Sequence, residues 1–207
     1  MEHWELEQKA AAAGYTAVCG VDEAGAGPLA GPVYAAAVIL PFGLELPYLN
    51  DSKQVTPKRR NRLFDLIREQ AVAWSIASVS AEEIDEIDIL NARMKAMQLA
   101  IDGLTPAADF ALIDGNRDHG SRCAIITAHE TVVKGDSRSP SIAAASILAK
   151  VSRDRYMEEL ADTYPQYRFE QHKGYPTKLH YEMLDQFGPS PVHRKTFLAK
   201  WEAKGRG

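Results

Sequence analysis

Several absences narrow the class of protein before any motif is considered. The 207 residues include 2 cysteines, Cys19 and Cys123, which are too few for a disulfide framework and lack zinc-finger spacing. No apolar run approaches the roughly 18 residues that a membrane-spanning helix requires. The first residues lack the basic and apolar blocks of a signal peptide. We therefore expect a cytoplasmic protein without membrane association, in which both thiols are buried as small apolar side chains.

A large excess of either charge is lacking as well. The 24 basic and 28 acidic side chains give a net charge of −4 at pH 7, which argues against a nucleic-acid binder that works by bulk attraction. The distribution is uneven, because residues 134–207 carry 13 basic and 9 acidic side chains, whereas residues 1–133 carry 11 and 19. The C-terminal third could therefore present a surface to phosphates, although ordinary solvated charge explains the same counts.

Apolar runs and helix caps predict alternating strands and helices. Strands are predicted over residues 15–23, 31–40, 72–80, 110–113, 124–127 and 131–133. Helices are predicted from Thr56-Pro57, over 82–88 and 90–101, from Ser139-Pro140, and from Thr177 to Gly188, where the last amphipathic helix ends. The first two strands meet at a short glycine-rich corner, which suggests an antiparallel pair. The pattern indicates an α/β or α+β sheet with flanking helices.

Four acidic residues stand where an apolar element ends or a helix is about to begin. Asp22 and Glu23 close the first strand, Asp114 closes another, and Asp136 precedes the Ser139-Pro140 helix start. Carboxylate oxygens of this kind suit Mg²⁺ or Mn²⁺. Two such ions, roughly 3.5–4 Å apart, can activate a water and stabilise a leaving oxygen in phosphodiester cleavage. The alternative is that each residue is a turn or cap residue.

Asp22 and Glu23 raise a geometric question because they are neighbours on one strand. Successive side chains of a strand point to opposite faces of the sheet. Both side chains would therefore reach one ion only if the strand were bulged. We expect Asp22 to contribute its side chain, and Glu23 to contribute through a local twist or its carbonyl group.

Three further features are candidates for substrate contact, each with an ordinary structural alternative. The corner Gly25-Ala26-Gly27 lets the main chain approach a ligand closely, or it is simply a tight turn. Because a strand follows it, a dinucleotide-binding loop is improbable there. Lys53 could reach a phosphate or merely be exposed. Tyr175, beside basic residues, could stack on a sugar or base or pack within its turn.

Seven sequence blocks together resemble the ribonuclease HII family, also called type 2 ribonuclease H. They occur in family order from about residue 16 to residue 198: Val21-Asp22-Glu23-Ala24-Gly25-Ala26-Gly27-Pro28-Leu29-Ala30-Gly31-Pro32-Val33, Asn50-Asp51-Ser52-Lys53, Ile113-Asp114-Gly115, Lys134-Gly135-Asp136-Ser137, residues 141–151, Gly174-Tyr175-Pro176-Thr177 and residues 188–194. One block would be weak support, but their combination is highly specific.

The resemblance implies an RNase H-like α/β fold in one domain over residues 1–207, with a mixed sheet of about five strands, flanking helices and a helical C-terminal part from about residue 176. It implies Mg²⁺- or Mn²⁺-dependent cleavage of RNA in RNA–DNA hybrids. It also implies incision 5′ of single ribonucleotides in duplex DNA, leaving 3′-hydroxyl and 5′-phosphate ends. We expect a monomer; no protein partner can be read from the sequence.

By motif match, the resemblance assigns two metal ions to Asp22, Glu23, Asp114 and Asp136. It also implies that Tyr175 stacks on the deoxyribose that follows the ribonucleotide. Gly25 to Gly27 would contact the ribonucleotide, with the glycines bringing the main chain to the 2′-hydroxyl. Lys53 would lie along the path of the phosphates.

One position departs from the family pattern. The chain has Ala26 where the family has the arginine of a Gly-Arg-Gly sequence. Alanine keeps the backbone N–H but lacks the guanidinium, so we expect the metal site to survive and the grip on substrate to weaken. A catalytically impaired hybrid-binding protein is therefore the main alternative to an active nuclease, and a small-molecule phosphohydrolase is a third.

Overall fold

The computed structural model describes residues 4–47, 49 and 56–204. This part of the chain contains five strands: β1 (Val18–Ala24), β2 (Val33–Ile39), β3 (Ala73–Val79), β4 (Phe110–Asp114) and β5 (His129–Val132). It also contains eight α-helices: α1 (Glu5–Ala12), α2 (Pro57–Gln70), α3 (Ala81–Ile87), α4 (Ile89–Asp102), α5 (Pro140–Thr163), α6 (Phe169–His172), α7 (Lys178–Phe187) and α8 (Lys195–Lys204).

The five strands form one mixed sheet in the order β3-β2-β1-β4-β5. The pair β1–β2 is antiparallel, as the short glycine corner predicted. The pair β2–β3 is antiparallel as well, whereas β4 and β5 join the sheet parallel to β1. The mixed five-stranded sheet with flanking helices is therefore confirmed.

Both faces of the sheet are covered, so most residues of β1 and β2 are buried, whereas most residues of the edge strands β3 and β5 are only partly buried. On one face, Val21 packs with Met94 and Met97 of α4. On the other face, Ala36 and Val38 pack with α2 and α5. The methionines are thus core residues, as their spacing indicated.

Helix α5 approaches the sheet unusually closely. Its first half is rich in alanine and serine, and it lies over Gly20 of β1, where an added Cβ atom would overlap the backbone of Ser141 and Ile142. The small residues therefore let the helix lie directly on the strand that carries Asp22.

The C-terminal helices form a smaller apolar cluster of their own. Leu29 and Met157 pack there with Phe169, Leu184 and Leu198. This cluster joins α6, α7 and α8 to the end of α5 and to the loop after β1.

Three details of the sequence-based prediction were wrong. Residues 124–127 do not form a strand, because Ala124 makes a single bridge to His119 within a loop. A further helix, α8, follows α7, although the helix ending at Gly188 was predicted to be the last one. Cys19 is buried as expected, but Cys123 is only partly buried. None of the helices in the described ranges has the length together with the apolar composition that a bilayer span requires.

Glu7 of α1 supports the beginning of α5 from a buried position. Its Oε1 atom accepts hydrogen bonds from the Ser139 hydroxyl at 2.6 Å and from the Ser141 N–H at 3.3 Å. The Ser139 hydroxyl in turn accepts from the N–H of Ile142 at 3.1 Å. A carboxylate at this end of a helix is also favoured by the helix dipole.

We expect Glu7→Ala to lower the free energy of unfolding by about 1–3 kcal/mol, because it leaves buried donors without an acceptor. Glu5→Ala, at an exposed position of the same helix, should change it by about 0.5 kcal/mol or less. Urea unfolding measures both, and equal effects of the two substitutions would contradict this role for Glu7.

Candidate active site

A polar cavity of about 340 Å³ lies at one end of the sheet and is lined by all four carboxylates singled out in the sequence, Asp22, Glu23, Asp114 and Asp136. Asp22 and Asp136 are buried, with 8% and 7% of their surface exposed. The structure therefore brings together residues that are 114 positions apart along the chain.

The strand topology explains how three of the carboxylates meet. β1 and β4 are parallel neighbours whose register pairs Val21 with Ile113. The next residue of each strand is an aspartate, Asp22 or Asp114, so both carboxylates stand at the same edge of the sheet. Glu23 follows directly on β1.

Asp136 reaches the cavity through a short 3₁₀ turn, Gly135–Ser137, that precedes α5. Lys134 enters this turn in the left-handed region at φ 55°. The N–H of Gly135 then donates to Asp114 Oδ1 at 2.6 Å, which ties the turn to the end of β4. Gly135 is closely surrounded, since an added Cβ atom would lie 3.1 Å from that same oxygen.

Asp22 and Glu23 share the cavity without a bulge in β1. The register with β2 is regular from Gly20 to Ala24. Glu23 belongs to the face covered by α4, where its Oε1 atom pairs with Arg93 at 2.6 Å. Because the strand ends here, side chains from both faces can line one cavity.

The electrostatics of the site are dominated by burial and mutual repulsion. Burial, followed by the negative charges of Glu23 and Asp114, raises the pKa of Asp22 well above its ordinary value. Burial also raises the pKa of Glu23, and the Arg93 guanidinium opposes that shift only in part. Bringing these groups together as anions therefore costs free energy.

The donor set fits hard divalent cations, because every candidate ligand is a carboxylate oxygen and a cation would offset the repulsion. No three or more His, Cys, Asp or Glu side chains in the described ranges are already arranged as a metal site. One oxygen of each of three carboxylates is bound by the protein itself. Asp22 Oδ1 accepts a hydrogen bond from the Glu23 N–H at 2.7 Å, Glu23 Oε1 pairs with Arg93, and Asp114 Oδ1 accepts from the Gly135 N–H.

Two cationic side chains also line the cavity, Arg60 of α2 and Lys150 of α5. The Lys150 ammonium pairs with Asp154 at 2.6 Å and lies 5.7 Å from the ring centre of Tyr175. Lys150 thus connects the carboxylate cavity to the half-exposed Tyr175, which the sequence had singled out separately.

The glycine corner follows β1 directly and so lies next to Glu23. Gly25 is buried, Ala26 is partly buried and Gly27 is exposed. Gly25 has φ 97°, in the region that favours glycine, and an added Cβ atom there would overlap the side chain of Arg153. Lys53 lies outside the described residues.

Sequence reasoning missed several residues near these features. The sequence-based prediction gave no role to Arg60, to Arg93 or to the buried Arg153 and Arg194. An arginine carries no local signal of burial or of which distant group it will contact. The one usable hint was that Lys150 and Arg194 lie within blocks that resemble the family.

Three histidines without metal spacing also cluster near Tyr175. His180 Nε2 and His193 Nε2 are 3.0 Å apart, and His172 stacks on His180. Burial lowers the pKa of His180 and of His193 to about 4. These rings are therefore neutral near pH 7, and they serve as hydrogen-bonding groups in a packed core.

The sequence and the fold both match one family of known proteins. The family model described as Ribonuclease HII matches residues 19–202. A curated relative, Ribonuclease HII from Shouchella clausii, is 53% identical over 94% of this chain and 73% of its own length.

Two solved structures are similar in fold. The ribonuclease H2 from Pyrococcus horikoshii superposes with a TM-score of 0.74 at 26% identity, covering 92% of this chain and 99% of its own. A Bst-RNase HIII structure in complex with Mn²⁺ has a TM-score of 0.61 at 19% identity, covering 92% and 70%. These likenesses confirm the RNase H-like fold.

Removing one charge from the cavity should stabilise the metal-free protein. When folding raises the pKa of a carboxyl group, the free energy of unfolding falls as the pH rises. The fall begins near the ordinary pKa of the group, 3.8 for aspartate, and is complete above the raised pKa of the folded state. The repulsion is thus largest at alkaline pH. We expect Asp114→Asn, which keeps an acceptor for the Gly135 N–H, to raise Tm in EDTA at pH 8 by about 2–4 °C.

Asp109→Asn provides a control of opposite sign. Burial alone would raise the pKa of Asp109, but hydrogen bonds from Thr16 and Ala17 outweigh burial and hold this pKa below its ordinary value. Asp109→Asn should therefore lower Tm at pH 8. The rise in Tm caused by Asp114→Asn should shrink as the pH approaches 4. If Asp114→Asn instead lowered Tm at pH 8, repulsion among the carboxylates would not be the dominant effect.

Proposed function

This chain belongs to the ribonuclease HII family and is a ribonuclease H endonuclease, and on that premise we propose its substrates. It cleaves RNA paired with DNA, and it incises 5′ of single ribonucleotides embedded in duplex DNA, leaving 3′-hydroxyl and 5′-phosphate ends. Its role is then to remove ribonucleotides from DNA. The observation that carries the proposal is the convergence of four carboxylates on one cavity at the edge of the sheet.

Asp22, Glu23, Asp114 and Asp136 are proposed to hold two divalent cations, Mg²⁺ or Mn²⁺. The all-oxygen donor set and the raised pKa values of Asp22 and Glu23 support this assignment, as does the Mn²⁺ named for the Bst-RNase HIII structure. When bound, such ions activate a water and stabilise the departing 3′ oxygen of a phosphodiester.

The protein's own groups have distinct tasks around that chemistry. Arg93 holds the Glu23 carboxylate at 2.6 Å and favours its ionised form, which opposes in part the rise in pKa that burial causes. The Gly135 N–H orients Asp114. Arg60 and Lys150 line the same cavity, and their positive charges attract a phosphodiester to a site whose carboxylates alone would repel it.

Recognition of the substrate is assigned to the glycine corner and to Tyr175. Gly25, Ala26 and Gly27 approach the ribonucleotide through the main chain, and the exposed Gly27 leaves open space for it. Tyr175 stacks on the deoxyribose that follows, and 38% of the residue's surface is exposed. Lys53 is proposed to lie along the phosphate path on the strength of the family resemblance.

The remaining assignments concern organisation. We propose that residues 1–207 form a single catalytic domain, in which the part from about residue 176 covers one side of the substrate groove. The protein acts as a cytoplasmic monomer on RNA–DNA hybrid and on duplex DNA that contains ribonucleotides.

The decisive assay uses a labelled DNA duplex with one ribonucleotide, incubated with Mg²⁺, Mn²⁺ or EDTA. Cleavage should need a cation, and Asp136→Asn should reduce it by orders of magnitude while sparing duplex binding. Asp162→Asn, at an exposed position of α5, is the matched control and should cleave normally. A gel shift without cleavage would indicate the hybrid-binding protein instead, and cleavage of a nucleotide monoester alone would indicate a phosphohydrolase.

Ala26→Arg should raise kcat/KM on the single-ribonucleotide duplex, because it restores a multi-donor cation next to the backbone. The logarithm of the duplex-binding constant should also fall more steeply with the logarithm of the salt concentration, by a slope change of about one, because about one more counterion is released. Ala26→Lys supplies the charge without the planar donor group and should recover less. Unchanged cleavage of both substrates in Ala26→Arg would show that the side chain at this position contributes nothing.

A further inference from the structure

Two arginines, Arg153 of α5 and Arg194 just before α8, are fully buried, each with 0% of its surface exposed. Buried guanidinium groups usually face a carboxylate. Here, all five hydrogen bonds that the two side chains donate within the described residues go to backbone carbonyl oxygens. Burial is costly, as shown by the pKa of Arg194, which burial and then the charge of Arg153 lower to about 9.

The acceptors all belong to one loop, residues 25–32, which begins with the glycine corner. Arg194 donates to the carbonyl oxygen of Gly25 at 2.7 Å, of Ala26 at 3.1 Å and of Gly31 at 2.9 Å. Arg153 donates to those of Pro32 at 3.1 Å and Ala30 at 3.2 Å. An apolar residue would fill the same space, but it would leave these carbonyl groups without their donors.

The loop is shaped so that its backbone lies against the arginines. Gly25 and Gly31 have φ values of 97° and 82°. An added Cβ atom would overlap Arg153 at Gly25 and would crowd the sulfur of Met157 at Gly31. Because no side chain fits at these points, the guanidinium groups reach the carbonyl oxygens directly.

The segment that carries Tyr175 is attached to the same loop. The N–H of Leu29 donates to the carbonyl oxygen of Gly174 at 2.8 Å, and the N–H of Arg194 donates to that of Leu29 at 2.8 Å. The guanidinium carbon of Arg153 lies 5.6 Å from the ring centre of Tyr175. From the other side, His180 Nδ1 is 3.0 Å from the carbonyl oxygen of Tyr175.

We propose that Arg153 and Arg194 are positioning residues for recognition of the RNA-to-DNA junction. They hold the glycine corner at a set distance from Tyr175, so that the corner reads the ribose and the tyrosine reads the following deoxyribose in one binding event. This role rests on the proposed function. It does not extend to the hydrolytic step, since neither guanidinium lines the carboxylate cavity.

The test compares two substrates, a duplex with one ribonucleotide and a continuous RNA–DNA hybrid. Arg153→Lys and Arg194→Lys keep the positive charge, but a lysine cannot replace the forked donor group. We expect kcat/KM on the single-ribonucleotide duplex to fall about 10- to 100-fold, with a much smaller loss on the hybrid. Arg155→Lys, on the same helix but packed over Phe64 and bonded to Asn61, should leave both activities unchanged.

A coupled variant tests whether the effect passes through Tyr175. In a Tyr175→Ala background, Arg194→Lys should cause little further loss of junction preference, because the second contact has already been removed. Gly174→Ala tests the same connection between the loop and the Tyr175 segment, but it leaves both arginines unchanged. Its Cβ atom would lie 2.6 Å from the carbonyl oxygen of Ala30 at φ 81°, and it should weaken junction preference even if a lysine variant fails to fold.

An equal loss on both substrates together with a lowered Tm would overturn the proposal and leave the arginines a purely structural role. Additive losses in the Tyr175→Ala background would also overturn it. Cleavage of neither substrate by the unaltered protein is a different result, which would reject the proposed function itself.

Discussion

Repulsion among buried carboxylates is the constraint on which the rest of the structure depends. Parallel pairing of β1 and β4 puts Asp22 and Asp114 at one sheet edge, and the Gly135 turn adds Asp136. Holding these anions together costs free energy that the fold must supply elsewhere. Arg93, the Gly135 N–H and the Glu23 N–H offset part of that cost by engaging the oxygens from the protein side. A divalent cation bound among the carboxylates would offset the remainder of that cost.

The surrounding architecture can be understood as support for this arrangement. Glycine at position 20 lets α5 lie directly on β1, and hydrogen bonds to Glu7 hold the beginning of that helix. Because the Gly135 turn leads directly into α5, the position of Asp136 depends on how firmly the helix is seated. The packing of small residues, which looks like a matter of stability alone, therefore also determines the geometry of the cavity.

Much of the fold and of the carboxylate set could be predicted from the sequence, because both depend on local patterns. Apolar runs located the strands of the mixed sheet, and acidic residues at strand ends located the cavity. The prediction failed where the decisive contacts are distant. A helix beyond Gly188-Pro189 has no strong apolar stripe, and residues 124–127 are apolar enough for a strand but are held in a loop. Arg153 and Arg194 carry no local sign of burial, and Arg93 carries none of its pairing with Glu23, since an arginine usually faces water.

The length of α5 determines how far the carboxylate cavity lies from the glycine corner and Tyr175. Within this one helix, Ser146 and Lys150 line the carboxylate cavity, while Arg153 lies beneath the glycine corner and Tyr175. Ser146 and Arg153 are seven positions apart, which corresponds to a rise of roughly 10 Å along an α-helix. Helix α5 therefore fixes the spacing between the carboxylate cavity and the glycine corner with Tyr175. Under the proposed function, this spacing would set the distance between the cut and the recognised junction, and a one-residue insertion in α5 would change it.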